Sequence, residues 1–297
     1  MLKEKILNNE KVKAEEVGEE LSISSKIEQL ELEGKFNVEV MPDPPTIELL
    51  PEKIDYLRKK PINRLKMAFA NFCARRLISK LVKTKALLIK EIKGAENFLK
   101  LGKSGAILTC NHFSPNDSFL MQLGLEAGCK YNKHKKRMFK VIREGNYTNP
   151  IAFRFFMQNC NTLPLSQNSQ TMRKFLKAVN SLLTRGDYVL VYPEECMWPD
   201  YKKPRPLKIG AYRFAVKNNV PVQSFFITME DTDNVLPDGS KQQAYTIHIL
   251  PPIFANKELT EKEQMEDMKN RNYQEWVKIY EDFYGKKLEY STKKVEE

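Results

Sequence analysis

The segment of residues 111–118, NHFSPNDS, places a carboxylate five residues after a histidine. It follows the short apolar run GAILTC, which predicts a buried strand, and it precedes a segment with helical periodicity. Ser114 and Pro115 suit the N-cap and the first position of that helix. Asp117 can then fold back onto one ring nitrogen of His112, which leaves the other nitrogen to accept a proton. The pattern indicates a general base whose tautomer Asp117 fixes, although Asp117 could equally serve only as a helix-capping carboxylate.

Two further segments carry groups that can bind a substrate. In YPEE, residues 192–195, Glu194 follows a predicted strand at the end where α/β folds place ligands, so it can hydrogen-bond a polyol hydroxyl. A proline-stiffened basic loop comes next, and a phosphate or a membrane headgroup would suit its cations, Lys202, Lys203 and Arg205. The alternative for both segments is a set of solvated loop charges.

Taken together, these segments resemble the PlsC-type glycerolipid acyltransferases, which act on 1-acyl-glycerol-3-phosphate or on lysophospholipids. NHFSPND is similar to their His-x-x-x-x-Asp block, YPEE to their F-P-E-G block, and PLKIGAYRFAVKNNVPV to the segment that follows. The order and spacing agree over roughly residues 100–230. The resemblance implies an α/β fold, acyl-CoA or acyl carrier protein as the donor, and a glycerolipid acceptor.

The same resemblance implies which residues act. His112 and Asp117 are the expected catalytic pair, and Glu194 is an expected acceptor-site residue. The full set of expected substrate-binding residues is Asn111, Ser114, Pro193, Glu194, Lys202, Lys203 and Arg205.

Two departures from the family pattern concern the acceptor. The second family block normally ends in an arginine that holds the acceptor phosphate, and Ser166 stands there in this chain. The third block usually continues Gly-Thr-Arg, whereas this chain reads Glu195-Cys196-Met197. Both changes remove a bidentate phosphate donor. Either a cation of the basic loop takes over, or the acceptor headgroup differs from glycerol phosphate. A catalytically inactive lipid-binding protein of the same fold is the alternative function, and the intact His-Asp pair argues against it.

The cysteines indicate neither a metal site nor a second catalytic nucleophile. The five cysteines are odd in number and none form a CxxC pair, which argues against a disulfide framework and a structural zinc site. We therefore expect no metal and no cofactor beyond the acyl donor. Cys110 is close to His112, but its apolar strand favours a packing role over that of a nucleophile.

The charge is unevenly distributed along the 297 residues. Residues 1–57 carry seven lysines and fourteen acidic residues, a net charge of −7, whereas residues 58–104 carry a net charge of +12. The basic segment predicts a polyanionic partner, and an anionic membrane suits an acyltransferase. Nucleic acid is the alternative polyanion, but the chain has no recognised binding motif. Residues 62–82 predict a basic amphipathic helix that lies either in a membrane interface or on the protein core.

Neither a signal peptide nor a run of 18 apolar residues is visible in the sequence, so we expect a cytoplasmic protein, peripheral on the inner face of the membrane. Strands that alternate with helices predict an α/β fold with a mixed sheet flanked by helices, preceded by an N-terminal helical extension. The expected domains are an acidic extension and linker over residues 1–57 and an acyltransferase domain over residues 58–297. The latter divides into a basic membrane-facing region (58–103), an α/β core (104–255) and a C-terminal helix (256–297).

The predicted elements follow from the periodicity of apolar residues. Helices are expected over residues 3–21, 25–32, 62–82, 117–128, 149–159, 169–184, 207–218 and 261–284, and strands over residues 105–110, 137–142, 188–192, 220–229 and 245–250.

Overall fold

The computed structural model describes residues 22–42, 46–132, 134, 136–148, 151–236 and 239–292. In this part of the chain a seven-stranded mixed sheet is flanked by helices on both faces, and a helix precedes it near the N-terminus. The predicted fold class is therefore confirmed. The helix predicted over residues 3–21 lies outside the described residues.

The elements are numbered here in chain order. The helices are α1 (Ile23–Leu32), α2 (Pro61–Lys83), α3 (Asp117–Gly128), α4 (Ile151–Asn159), α5 (Ser169–Thr184), α6 (Gly210–Lys217) and α7 (Glu261–Tyr284). The strands are β1 (Leu88–Lys93), β2 (Ala106–Thr109), β3 (Met138–Ile142), β4 (Thr162–Pro164), β5 (Tyr188–Val191), β6 (Val222–Val235) and β7 (Lys241–Ile249). Short 3₁₀ helices span Pro51–Lys53, Ala95–Leu101 and Glu144–Thr148.

The strand order of the sheet is β1-β7-β6-β2-β5-β3-β4, and only β6 and β7 pair antiparallel. The central strands β2 and β5 are almost wholly apolar and buried, as strands covered by helices on both faces must be. They run in parallel register, with Thr109 opposite Val191. The residues that follow the two strands, including His112 and Glu194, therefore emerge at one edge of the sheet.

Each face of the sheet has its own hydrophobic core. On one face, Phe175 of α5, Tyr212 of α6 and Trp276 of α7 pack against the sheet, and all three are fully buried. On the other face, Leu120 of α3 and Phe98 of a 3₁₀ helix are likewise fully buried. The side chains of successive strand residues alternate between these cores, so the sheet is a rigid base for the loops at its edge.

The predicted and observed elements differ mainly at the margins of the sheet. β6 runs to Val235, beyond the predicted residue 229, because its antiparallel pairing with β7 continues into an exposed hairpin. β1 and β4 were not predicted. β1 is a half-exposed edge strand with the charged sequence LIKEIK, and β4 has only three residues. Neither gives a strong periodic signal.

The N-terminal segment, which the structure describes over residues 22–42, packs tightly against the loop that follows β5. Ile27 of α1 and Val40 form a buried cluster with Cys196 and Trp198, and the indole N–H of Trp198 donates to the carbonyl of Val38 at 2.9 Å. The described residues before residue 57 thus pack on the loop that follows β5. The expected division into domains near residue 57 stays a prediction.

A close approach at the end of α3 generates the first prediction. A Cβ built on Gly128 would overlap the ring of Phe98, which is fully buried. We expect Gly128→Ala to lower the free energy of unfolding by about 1–3 kcal/mol through overpacking, as measured by urea denaturation.

Gly210 is the matched control, because nothing lies within 4 Å of a Cβ built there. Gly210→Ala should leave stability unchanged or raise it by about 0.4–1 kcal/mol. Equal stability of the Gly128→Ala variant and the wild type would contradict the packing described for α3.

Candidate active site

The backbone before His112 is fixed by a buried asparagine. The side-chain amide of Asn111 donates to the carbonyl of Ile227 at 3.0 Å and its oxygen accepts the N–H of the same residue at 2.9 Å. The side chain thus bridges to β6 as a neighbouring strand would. Asn111, expected to bind substrate, has its amide committed to the protein and positions the next residue.

His112 and Asp117 lie together at the edge of the sheet. Nδ1 of His112 is 2.5 Å from Oδ2 of Asp117, a distance at which a ring N–H donates to the carboxylate. The Asp117 side chain is 3% exposed and that of His112 is 22% exposed. Because Nδ1 is occupied, Nε2 is the nitrogen left to exchange a proton with a substrate. The structure brings the predicted pair together, and its part in catalysis remains a prediction.

Tyr192 completes the surroundings of the pair and was not among the predicted site residues. Its hydroxyl donates to Oδ1 of Asp117 at 2.7 Å, and its ring stacks on the imidazole with centroids 4.1 Å apart. Burial, and next the charge of Asp117, raise the pKa of the Tyr192 phenol well above its usual value, so the group stays a donor. An aromatic residue at the end of a buried strand, beside the Pro-Glu pair, is the sequence signal that could have identified it.

The bounds of α3 match the expected residues 117–128, but the capping residue differs from the prediction. The helix begins at Asp117 with Asn116 at its N-cap, not two residues earlier with Ser114 as the cap. The Ser114 hydroxyl instead accepts the N–H of Asn116 at 3.1 Å and closes a tight turn. Asp117 is therefore the first helical residue, and the longer loop lets its carboxylate reach His112.

Glu194 braces the backbone of His112. One carboxylate oxygen accepts the N–H of His112 at 2.9 Å and the guanidinium of Arg205 at 3.0 Å, and the other accepts the backbone N–H of Arg205 at 2.8 Å. Glu194 is 3% and Arg205 1% exposed. Both side chains are thus committed to contacts within the protein, although the sequence predicts that they bind substrate.

Arg205 also ties the site to the N-terminal segment. Its guanidinium donates to the carbonyls of Cys196, of Phe36 at 3.1 Å and of His112 at 3.4 Å, and it lies over the Trp198 ring. Four carbonyl or carboxylate groups therefore surround one buried cation, which joins the loop after β5 to residues near the chain start.

The remaining cations of the basic loop are also paired. Lys202 donates to Asp231 at 2.6 Å, and Lys203 donates to Glu31 of α1 at 2.5 Å. Burial alone would raise the pKa of Glu31, but hydrogen bonds from Lys203, the Ser291 N–H and Tyr201 outweigh it and lower that pKa. Pro193, another expected substrate-binding residue, accepts the backbone N–H of Lys208 through its carbonyl at 2.8 Å.

A lysine on the α3 side of the sheet is a further candidate site residue, which the sequence analysis did not identify. Lys140 of β3 is half-buried, and burial lowers the pKa of its ammonium group, while the nearby Cys160 and Asp117 side chains act in the opposite direction.

Burial raises the pKa of the Cys110 thiol well above its usual value, which disfavours a thiolate nucleophile beside His112. Among the described residues, no three His, Cys, Asp or Glu side chains gather to hold a metal ion.

The buried ion pair generates the second prediction. Arg205→Met should lower the free energy of unfolding by about 3–5 kcal/mol, because it leaves the Glu194 carboxylate buried without its cation. The double variant Glu194→Gln, Arg205→Met should recover most of that loss in urea denaturation. Equal destabilisation by the single and the double variant would contradict this assignment of the pair.

The residues of this site lie in the part of the chain that is similar to known proteins. Residues 90–228 match the family model described as acyltransferase. No curated protein matches the sequence. Among solved structures, the chain is similar to PlsC, the 1-acyl-sn-glycerophosphate (LPA) acyltransferase from Thermotoga maritima, with 20% identity and a TM-score of 0.40 over 72% of this chain and 79% of that chain. The segment that matches the acyltransferase model, residues 90–228, includes His112, Asp117 and Glu194.

Proposed function

We propose that this protein transfers a fatty-acyl group from acyl-CoA or acyl carrier protein to a hydroxyl of a lysophospholipid or a 1-acyl-glycerol-3-phosphate-like acceptor at a membrane surface. The observation that carries the proposal is the His112–Asp117 pair, with Nδ1 occupied by the buried carboxylate and the ring partly exposed. The acyltransferase family match over residues 90–228 restricts the chemistry to acyl transfer.

In the proposed reaction, Nε2 of His112 takes the proton of the acceptor hydroxyl as the oxygen attacks the thioester carbonyl. The ester C–O bond forms, a tetrahedral oxyanion collapses, and the C–S bond breaks. The imidazolium returns its proton to the departing thiolate, so no net proton is gained or lost. Asp117 holds the tautomer and stabilises the imidazolium, and Tyr192 holds Asp117.

The surface of α2 supports a location on a membrane. Five large apolar side chains on this helix are exposed, and Phe153 of the neighbouring α4 is 64% exposed. The exposed apolar residues of α2 are Ile62, Leu65, Phe69, Phe72 and Leu77. Its cations are Arg64, Lys66, Arg75, Arg76, Lys80 and Lys83. An apolar face flanked by basic side chains suits insertion into the interface of an anionic bilayer.

None of the helices in the described part of the chain combines the length and the apolar character needed to cross a bilayer. Peripheral association on the inner face of the membrane forms part of the proposal, and the exposed apolar and basic side chains of α2 support contact with a membrane. The five cysteines, all free, suit a reducing compartment such as the cytoplasm.

The third prediction tests the catalytic pair. His112→Ala should lower the rate of acyl transfer from palmitoyl-CoA to a lysolipid by about 10²–10⁴-fold, the contribution of a positioned general base. Asp117→Asn should lower it within the same range, because the ring loses its fixed tautomer. Thiol release and diacyl product are the quantities to measure.

His134→Ala is the matched control, because His134 lies in an exposed loop and should have no effect. Full activity of the His112→Ala variant would refute the proposed mechanism. No transfer by the wild type with either donor class and any lysolipid would instead favour a non-catalytic lipid-binding protein.

The fourth prediction tests the membrane surface. Phe69 and Phe72 are 58% and 56% exposed, so changing both to Asp should barely alter stability. The double change should weaken binding to anionic vesicles at least about tenfold, because it removes apolar contacts and adds negative charges that the anionic lipids repel. Vesicle co-sedimentation at two salt concentrations measures the effect.

Leu176→Asp is the control, because Leu176 on α5 is 47% exposed but lies on a different helix. Equal loss of vesicle binding in both variants would argue against α2 as the docking surface.

A further inference from the structure

We infer that the acceptor is a lysophospholipid whose phosphate is a diester with a single negative charge, and that this site disfavours a phosphomonoester. The inference rests on the proposed function and concerns the headgroup alone. It is carried by the charge pairing of the cations around the carboxyl edge of β2, β5 and β3.

The positions where the family arginines are expected hold neutral residues. Ser166 is 6% exposed and donates its hydroxyl to Glu144 at 2.8 Å. Met197 stands at the other position and is half-buried, and the thiol of the preceding Cys196 donates to the carbonyl of Asn37 at 3.1 Å. Neither position offers a guanidinium, and the first is adjacent to a carboxylate.

The cations that could replace those arginines are each held by a carboxylate. Arg205 is paired with Glu194, and both are buried. Lys202 is paired with Asp231, and Lys203 with Glu31. Five of these six groups belong to the loop after β5 or to β6, the sixth is Glu31 of α1, and their charges cancel in pairs.

One more arginine lies at this edge and is also paired. Arg143 directly follows β3, whose neighbour is β5, and its guanidinium is 3.6 Å from the sulfur of Cys196. It forms an ion pair with Glu39 of the N-terminal segment. The Arg143 side chain is 39% exposed, so a lipid headgroup at the edge of the sheet would meet it with Glu39 already bound.

Two lysines remain near the site. Lys140 of β3 is half-buried, and its single charge balances in number that of the nearby Asp117 carboxylate. The backbone of Lys208 is bonded to Pro193, and its half-exposed side chain has no carboxylate partner among the described residues. About one positive charge is therefore left for an acceptor.

The single positive charge that remains near the site favours one of two classes of phosphate group. A phosphomonoester carries a charge of about −1.5 to −2 at pH 7 and is best held by bidentate guanidinium groups. A phosphodiester carries one negative charge and can be met by one ammonium group. With Arg143 and Arg205 each bound to a carboxylate, the second charge of a monoester would stay uncompensated beside Glu39 and Glu144.

The test compares acceptors with one acyl chain and different headgroups, each with palmitoyl-CoA in neutral detergent micelles. The acceptors are lysophosphatidate, lysophosphatidylglycerol, lysophosphatidylethanolamine and monoacylglycerol. We expect kcat/KM for both diesters to exceed that for lysophosphatidate at least about tenfold, and to exceed that for monoacylglycerol as well.

Transfer that favours lysophosphatidate or monoacylglycerol, or that treats all four alike, would overturn the inference and leave the proposed function standing. Absence of transfer to every acceptor would defeat the proposed function itself, and the inference with it. The His112→Ala variant, run in parallel, identifies transfer that occurs in this site.

The fifth prediction concerns a variant that should gain activity towards lysophosphatidate. Glu39→Gln releases Arg143, so it should raise kcat/KM for lysophosphatidate relative to the diesters by about threefold or more. Glu33→Gln makes the same charge change on an exposed residue paired with Lys35, and it should leave the ratio unchanged. An unchanged ratio in the Glu39→Gln variant, or an equal change in both variants, would contradict the role given to Glu39.

Discussion

The buried carboxylate of Glu194 holds together the two loops from which the site is built. It accepts the backbone N–H of His112 from the loop after β2, and it accepts two donors of Arg205 from the loop after β5. Taking two charges out of water costs several kcal/mol per ion, so such a pair persists only when further hydrogen bonds satisfy it. The carbonyls around Arg205 supply these bonds.

The N-terminal segment is held to the same network of buried charges and hydrogen bonds. Phe36 and Val38 offer carbonyls to Arg205 and to Trp198, and Glu31 accepts from Lys203 and from the backbone of Ser291 near the other end of the chain. The described residues before α2 thus help to fix the loop that follows β5.

Local patterns predicted much of this fold because they depend on neighbours in sequence. The bounds of α3, α5 and α7 agree with the helical periodicity, and the His112–Asp117 pair is formed within one loop. The short strand β4 and the edge strand β1 lacked such a pattern. β1 pairs with β7, whose residues lie far along the chain, so no short window of sequence shows it.

The partners of the charged side chains were beyond sequence reasoning for a similar reason. Lys203 and Glu31 are 172 residues apart, and Arg143 and Glu39 are 104 residues apart. Composition shows an excess of cations, but only the fold shows that Arg143, Lys202, Lys203 and Arg205 are each paired with a carboxylate. Two of these carboxylates, Glu31 and Glu39, belong to the acidic N-terminal segment.

The most direct test of the account measures, in one reaction, the thiol released from palmitoyl-CoA and the lipid formed from a lysophospholipid in anionic vesicles. We predict one molecule of diacyl lipid for each thiol released, and no thiol release above background without the acceptor. Thiol release that instead matches free fatty acid, or that proceeds equally without a lysolipid, would show that water is the acceptor and would contradict the proposed transfer.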